Sequence, residues 1–498
     1  MSFQDKRVGR KLHREEFQAG ISRFREKGLD ALQLYSSTPS SAPVLMRKGL
    51  YCRVRPISER EINEQFDFEA VTCHHERDSL FIHKCSLAPD LTRNDAERFA
   101  ERKWLHHYQF NCFDRVFGPG FDTDAVYEGI VKGRWSAAAG SDDWTLLMFG
   151  QTGSGKSHTI NGIINCLLRD LFQPPPSSPI TNLKLAFIQV QGTECVDLAS
   201  LEPIQILDTE NQSVHLKGLS FSENLDSFSD ALAYIQERLK IRSTRATFVN
   251  STSSRSHLFI IFEFDSCNSS GRKRISLVDL AGSERNADTF NHNSEQIRES
   301  QAINSSISAL KECLRRHSLG QKPVFRQSLL TRLLKPAFSG ALGESLDILF
   351  TVSPGSTDTE HSLTTLQYAQ IIATGSDPAE PACHTEDLGT YVFRWERSTT
   401  LSTTSSFSSN AMPIRWTPEQ VQDWISNYAS LDIQIPSGTD GKKLMRMAEK
   451  RWIQLCGEAN GRRIFSDLKK ENDRIRKLQD LQRTTRLQVA EAIRTRKT

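Results

Sequence analysis

The chain has 498 residues, 38% hydrophobic and 25% charged, an ordinary globular composition with length enough for two to four domains. No apolar run reaches the ~18 residues of a membrane span, and the opening MSFQDKRVGRKLHREEF lacks the apolar core of a secretory leader; ten cysteines without CxxC spacing read as reduced thiols in a cytosolic protein, not as a zinc site. The net charge of +3 is uneven: residues 1–48 carry ten Lys/Arg against five Asp/Glu, Lys442–Thr498 carry seventeen against seven, and the body between sums to −12. An acidic partner would be met by local patches or by the ends, and plain solubility accounts for either end equally well.

In chain order, residues 1–34 place Phe17, Ile21, Phe24, Leu29 and Leu32 at helical spacing among charges, which predicts a basic, partly amphipathic helix. SSTPSSAP at 36–43 has linker composition. From 44 to 373, apolar strand runs alternate with helical stretches: WTLLMF (144–149), LKLAFIQV (183–190), HLFIIFEF (257–264), ISLVDL (275–280) and LDILFTV (346–352). That alternation predicts an α/β sheet covered on both faces. Residues 374–412 lose the pattern, and ten of the twelve residues 398–409 are Ser or Thr, the composition of a disordered linker. Order returns at Trp416, where Thr417 as N-cap and Pro418 at the first helical position open a series of short helices over 413–476. A basic helical tail follows at 477–498, too irregular in its apolar spacing for a long coiled coil.

Gly150-Gln151-Thr152-Gly153-Ser154-Gly155-Lys156-Ser157 matches GxxxxGK[ST] between a strand run and a helix-compatible stretch, the context a phosphate-cradling loop requires. Its glycines let backbone N–H groups turn inward around phosphates at a helix N-terminus. Lys156 would neutralise the β/γ-phosphates and Ser157 would ligate Mg²⁺, which makes ATP with Mg²⁺ the expected substrate pair. Two more segments supply γ-phosphate sensors: Asn250–His257, containing Ser253, Ser254 and Arg255, ahead of one strand run, and Asp279-Leu-Ala-Gly282-Ser-Glu284 at the end of another. Asp279 reads as an outer-shell Mg²⁺ ligand acting through water, and Gly282 as a backbone N–H donor.

In this order and spacing the three segments resemble the P-loop, switch I and switch II of the kinesin motors, over about 44–373. The resemblance implies the kinesin fold, a P-loop NTPase with a central, mostly parallel eight-stranded sheet and three helices on each face. It implies that Arg53, Arg55 and Pro56 contact adenine, with Pro56 and His158 sandwiching the base. Ser253 and Ser254 would hold γ-phosphate and Mg²⁺, and Arg255 with Glu284 would close the site and position the attacking water.

Ser283–Thr289 (SERNADT), Ala309–Arg315 (ALKECLR) and Ile82–Arg93 followed by FNCFDRVF (110–117) resemble the kinesin-13 group, internal motors that use ATP to remove tubulin from microtubule ends; residues 1–43 would then be the basic neck and linker. The loop tip that reads Lys-Val-Asp in that group is Ala88-Pro89-Asp90 here, and two interface lysines of the family are replaced near Ser305 and Gln327–Leu329. Asp90, Lys311, Arg315, Arg316, Lys322, Arg326 and Arg332 remain as the microtubule-binding set the resemblance implies. Trp416, Trp424, Asp440-Gly441, Leu444, Gly461 and Ile464 resemble a sterile alpha motif (SAM) domain, a small all-α bundle that self-associates or binds a protein partner. The expected partners are tubulin and microtubules, not membranes or nucleic acid. The expected place is the cytoplasmic cytoskeleton, with spindle, flagellum and cytoplasmic array all open. Two alternatives stay open: a kinesin ATPase that binds microtubules without depolymerising them, and a SAM scaffold with a nucleotide-gated microtubule anchor.

Overall fold

The computed structural model describes residues 6–27, 49–89, 98–135, 143–173, 180–209, 214–248, 255–266, 272–282, 294–339, 345–375, 383–394, 413–426, 435, 438–458, 460–473 and 476. Its strands are β1 (Leu50–Val54), β2 (Val71–His74), β3 (Ser79–Pro89), β4 (Arg98–Phe110), β5 (Arg115–Phe117), β6 (Trp144–Phe149), β7 (Ile180–Gln191), β8 (Glu194–Asp197), β9 (Gln205–Asp208), β10 (Val214–Lys217), β11 (His257–Ser266), β12 (Arg272–Asp279), β13 (Ser345–Val352) and β14 (Cys383–Arg394). Eight of them form one sheet in the order β5-β1-β13-β6-β12-β11-β7-β8. Pairing is parallel from β5 through β12 and antiparallel from β12 to β8.

The central strands read as unbroken apolar runs because both faces are covered. Leu146 and Met148 of β6 pack with Ile260 and Phe262 of β11 under the helices Thr123–Ile130, Lys156–Phe172 and Phe228–Phe248. Leu147 and Phe149, with Ile348 and Phe350 of β13, pack on the opposite face against Ser294–Ser318, Thr359–Thr374 and the short pair Leu329–Leu333 and Lys335–Ser339. The eight-stranded, mostly parallel sheet agrees with the expectation; three helices cover its first face, and two long helices with a short pair cover the second. The strand order sets β6 between two parallel neighbours, so the ends of β6, β12 and β13 lie side by side. In open α/β sheets that edge is where ligands bind.

A second sheet, in the order β14-β4-β3-β2, corrects two expectations. Residues 383–394, read as part of a linker, form β14, which pairs antiparallel with β4 from Cys383↔Tyr108 to Arg394↔Arg98. The ladder partner lies more than 270 residues away, so local composition carries no sign of it; the Ser/Thr-rich 398–409 lies outside the described residues. The N-terminal segment, read as one helix over 1–34, is two, Lys6–Leu12 and Arg14–Glu26, meeting at His13. Leu29 and Leu32 lie outside the described residues.

These helices are fastened to the small sheet. Phe17, Ile21, Phe68, Ala70, Cys85 and Leu105 form a buried cluster with Leu388 of β14 against it. Gly20 permits the close approach: a Cβ there would meet Leu105 at 2.8 Å and Leu388 at 3.3 Å. Arg10, 1% exposed, donates from Nε to the Cys85 carbonyl (2.9 Å) and from Nη1 to the Ser356 carbonyl (2.7 Å), and forks onto the Glu360 carboxylate. Phe24 stacks on His107 at 4.1 Å, and beneath it His83 Nδ1 meets His107 Nδ1 at 2.7 Å. Thr72 Oγ1 accepts from Arg25 Nε (2.9 Å) and meets His83 Nε2 (2.8 Å).

At the C-terminal end, helices Pro418–Ser426, Gly441–Met445, Glu449–Cys456 and 460–473 surround Trp416, Val421, Leu444, Trp452, Ile464 and Leu468. Thr417 caps the first as expected, its Oγ1 accepting from Gln420 N at 3.4 Å. Asp440 caps the second, accepting from Lys443 N at 2.9 Å.

Candidate nucleotide site

Gly150 follows β6, and helix Lys156–Phe172 begins where the loop ends. The turn requires glycine at two places: Gly153 has φ +78° and Gly155 φ +102°, a region side chains strain to occupy. Gly150 meets β13 closely, since a Cβ there would lie 2.5 Å from the Thr351 carbonyl oxygen. Ser154 Oγ fixes the loop from within, donating to Gln151 O and lying 2.7 Å from Thr351 Oγ1. Lys156 is buried and donates from Nζ to Gly150 O and Gln151 O, both at 2.8 Å, which holds its charge inside the loop. Gln151 is buried beneath, while Thr152, Ser157 and His158 are exposed.

At the end of β12, Asp279 is buried and accepts from Ser157 Oγ at 3.0 Å through Oδ2. Its Oδ1 is buried without a hydrogen-bond partner, an acceptor that the described residues leave unsatisfied. Among the described residues no group of three or more His, Cys, Asp or Glu could hold a metal alone. The two oxygens of Asp279 and Ser157 fit Mg²⁺, which keeps most of its water and binds through one or two protein oxygens plus phosphate. Arg242, buried on helix Phe228–Phe248, lies 3.3 Å from Asp279 Oδ2 and donates from Nη2 to Ser256 O at 2.7 Å. Burial pushes the guanidinium of Arg242 down from its ordinary pKa while Asp279 supports its charge. Beside it, His257 Nδ1 accepts from the Ala281 N–H at 3.0 Å, and its Nε2 meets Ser306 Oγ at 2.9 Å.

The structure gives Arg53 and Arg55 partners beyond the adenine role the resemblance implies. Arg53 is buried with Nη1 on Thr159 Oγ1 at 2.9 Å, inside the phosphate-loop helix. Arg55 donates from Nε to Gly153 O at 2.7 Å, from Nη2 to Ser353 Oγ at 3.1 Å, and forks onto Glu61. That guanidinium holds the Glu61 carboxyl at about 2. Pro56 is exposed nearby in sequence. Arg255 is half-buried just before β11 and Gly282 is buried after β12; Ser253, Ser254 and Glu284 lie outside the described residues.

The expected microtubule residues divide. Lys322 is exposed, and Arg326 is 87% exposed, 3.9 Å from Asp208. Arg315 and Arg316 both bond Glu312, at 2.9 and 2.8 Å, and are about a third exposed. Lys311 turns inward, its Nζ 4.8 Å from the centre of the Tyr368 ring and 5.6 Å from that of Phe149. Arg332 turns onto the Ile206 carbonyl of β9. Asp90 lies outside the described residues. Sequence reasoning missed Arg242, Thr159, Thr351 and Glu61, and gave His257 no role although it closes the Asn250–His257 segment.

Residues 53–374, about two thirds of the chain, match the kinesin motor domain. The chain belongs to the kinesin motor domain family. This kinesin is 33% identical over 354 residues to the "Diatom spindle kinesin-1" of Cylindrotheca fusiformis, an alignment covering 68% of the chain and 51% of that relative. It is 30% identical over 346 residues to "Kinesin-like protein KIN-13A" of Oryza sativa subsp. japonica, covering 64% of the chain and 40% of the relative. The chain thus spans about half or less of the length of these relatives. Among solved structures, a fast kinesin superposes with TM-score 0.53 at 22% identity, over 68% of this chain and 94% of that one. A KIF14 dimer solved with AMP-PNP in complex with a microtubule superposes with TM-score 0.53 at 26% identity, over 66% and 94%.

Proposed function

We propose that this kinesin is a microtubule-stimulated ATPase of the kinesin-13 type, which couples ATP hydrolysis to tubulin removal at microtubule ends. The observation that carries the ATPase reading is the convergence of Lys156, Ser157 and Asp279 at the neighbouring ends of β6 and β12. The backbone of Gly153–Ser157 cradles the phosphates and Lys156 neutralises them. Mg²⁺ would be held by Ser157 and Ser254 and, through water, by Asp279, and would supply charge neutralisation. Ser253 and Ser254 sense the γ-phosphate, and Arg255 with Glu284 positions a water for in-line attack, giving ADP and phosphate. Such catalysis rests on positioning and electrostatics.

The kinesin-13 reading is supported by SERNADT at Ser283–Thr289, by ALKECLR at Ala309–Arg315 and by the similarity to a relative named KIN-13A. The C-terminal bundle we assign as a SAM-like module that self-associates or recruits a protein partner, with the protein on cytoplasmic microtubules. A specific observation favours a second reading, a kinesin that binds the lattice without removing tubulin: Lys311 and Arg332 are engaged inside the protein, leaving fewer free cations for an acidic surface. Sedimentation with stabilised microtubules separates the two. Catalytic release of tubulin to the supernatant with ATP, absent with a non-hydrolysable analogue, supports depolymerisation. Co-sedimentation with ATP turnover on intact polymer supports the binding kinesin. A Lys156→Ala protein that still hydrolyses ATP removes the assigned site.

A further inference from the structure

The C-terminal bundle carries a cluster of cations without carboxylate partners among the described residues. Between Lys442 and Arg451 the chain reads KKLMRMAEKR, five cations against the single carboxylate of Glu449. Lys442, Lys443 and Arg446 lie on or just past helix Gly441–Met445, and Lys450 and Arg451 on helix Glu449–Cys456, which begins after three joining residues. At about 100° per residue, Lys442, Arg446 and Lys443 cover the outer arc of the first helix, because Gly441 and Leu444 are buried on the inner one. Lys450 and Arg451 are exposed beside the buried Trp452. Lys443 Nζ donates to the Gly438 carbonyl and Arg451 Nη1 to Gln454 Oε1, both neutral acceptors at 3.2 Å. The ion pairs of the bundle lie elsewhere, on Glu458 and Asp467. Basic side chains of the motor are engaged by contrast: Arg315 and Arg316 share Glu312, and Arg326 and Lys335 share Asp208.

We infer that this face of the bundle is a second microtubule contact, which takes the flexible, carboxylate-rich C-terminal tails of tubulin. The inference rests on the microtubule reading above. Five neighbouring cations repel one another, and a run of carboxylates laid across them relieves that repulsion. The segment holds no aromatic side chain, so it offers no platform on which nucleic-acid bases stack. Eighteen residues separate Arg394 of β14 from Pro413, a span of at most ~65 Å. A motor seated on the lattice therefore holds the bundle among the tails at high effective concentration, and a contact too weak to act alone prolongs attachment.

The test sediments the full chain with stabilised microtubules and a non-hydrolysable ATP analogue, at low and high salt. Intact polymer is compared with polymer whose tails have been removed by limited proteolysis. One variant combines Lys442→Gln, Arg446→Gln and Lys450→Gln; a second combines Lys442→Arg, Arg446→Lys and Lys450→Arg and keeps the charge. At low salt the neutralised variant is expected to bind intact polymer about tenfold more weakly than wild type, and to match wild type on tailless polymer. The difference should disappear at high salt. The charge-keeping variant is expected to bind as wild type does throughout. Equal binding of neutralised and wild-type protein to intact polymer, or the same loss on both polymers, overturns the inference. So does wild-type retention of a single-stranded RNA oligomer that the neutralised variant loses while its binding to intact polymer is unmoved. If the neutralised triple variant does not fold, Lys442→Gln alone takes its place, with about a twofold difference and the same outcomes. A wild type that sediments with neither polymer removes the microtubule reading itself, and this partner with it, before any variant is compared.

Discussion

Ser157 Oγ lies 3.0 Å from Asp279 Oδ2, joining the loop after β6 to the end of β12 although 122 residues separate them. Asp279 Oδ1 has no hydrogen-bond partner, and in the proposed site it would accept from a magnesium-bound water. Asp279→Asn keeps the shape and removes the charge. Turnover at saturating ATP is expected to fall by roughly 10²-fold, with a raised Mg²⁺ requirement. A steady-state ATPase assay titrated with Mg²⁺ checks this, and wild-type turnover at all Mg²⁺ levels contradicts it.

Glu61 accepts from Arg55, which in turn donates to the Gly153 carbonyl. Glu61→Gln frees one side of the fork and loosens the phosphate loop in the ground state. KM for ATP should rise about tenfold with kcat little changed, the signature of lost uniform binding. An equal fall in kcat with KM unmoved would assign Glu61 a different role.

Arg10→Ala leaves two buried carbonyls short of a donor and Glu360 without its guanidinium. The expected loss is about 3 kcal/mol, read by thermal or denaturant unfolding. Burial pushes Glu360 up, but the Arg10 hydrogen bonds outweigh it and the carboxyl stays below its ordinary value. Its stabilising contribution is thus complete above about pH 4.5 and is lost as pH falls toward the folded-state value. The variant should lose part of this acid sensitivity.

The histidines under Phe24 give the opposite sign of ionisation and the same direction in pH. Burial, then His107 and Arg25, push His83 well below the imidazole range; burial, with His384 and His106, lowers His107 to about 4 against the opposing pull of Glu386. The unfolded segment takes up protons below about pH 6.5 and the folded one does not, so stability is full above that value and declines at up to about 1.4 kcal/mol per histidine per pH unit as pH falls. Hydrogen exchange at Arg14–Glu26 should become faster between pH 7.5 and 5.5 relative to Lys156–Phe172, after correction for intrinsic rates. Unchanged relative protection would show that the helix Arg14–Glu26 does not report on this pair.

Trp452 is fully buried at the centre of the C-terminal bundle. Trp452→Ala should cost about 3–5 kcal/mol there and unfold the module. Basal ATPase of the full chain is expected to stay within error of wild type while any self-association measured by sedimentation velocity disappears. Loss of both together would mean that the bundle supports the motor.

The central sheet was legible because its strands are buried on both faces and so spell continuous apolar runs, and the phosphate loop because its function is compressed into eight consecutive residues. Arg242 was not: it sits in a charged helix and acquires meaning only where that helix crosses the end of β12. Lys311 illustrates the limit from the other side. A lysine on a helix has the same local sequence whether it faces solvent or, as here, the rings of Tyr368 and Phe149. β14 was missed because a strand needs a partner, and β4 is remote in sequence.

The register of β14 also decides where the C-terminal chain departs. The helix Thr359–Thr374 is followed by β14, over whose twelve residues the backbone travels ~40 Å along the ribbon, to Arg394 opposite Arg98. Anything tethered through the C-terminal module is therefore joined to the motor through Arg394, opposite Arg98 at the start of β4. A load on that tether pulls on the ribbon, on the N-terminal helices pinned across it and, through Arg10, on Glu360, before it reaches the central sheet.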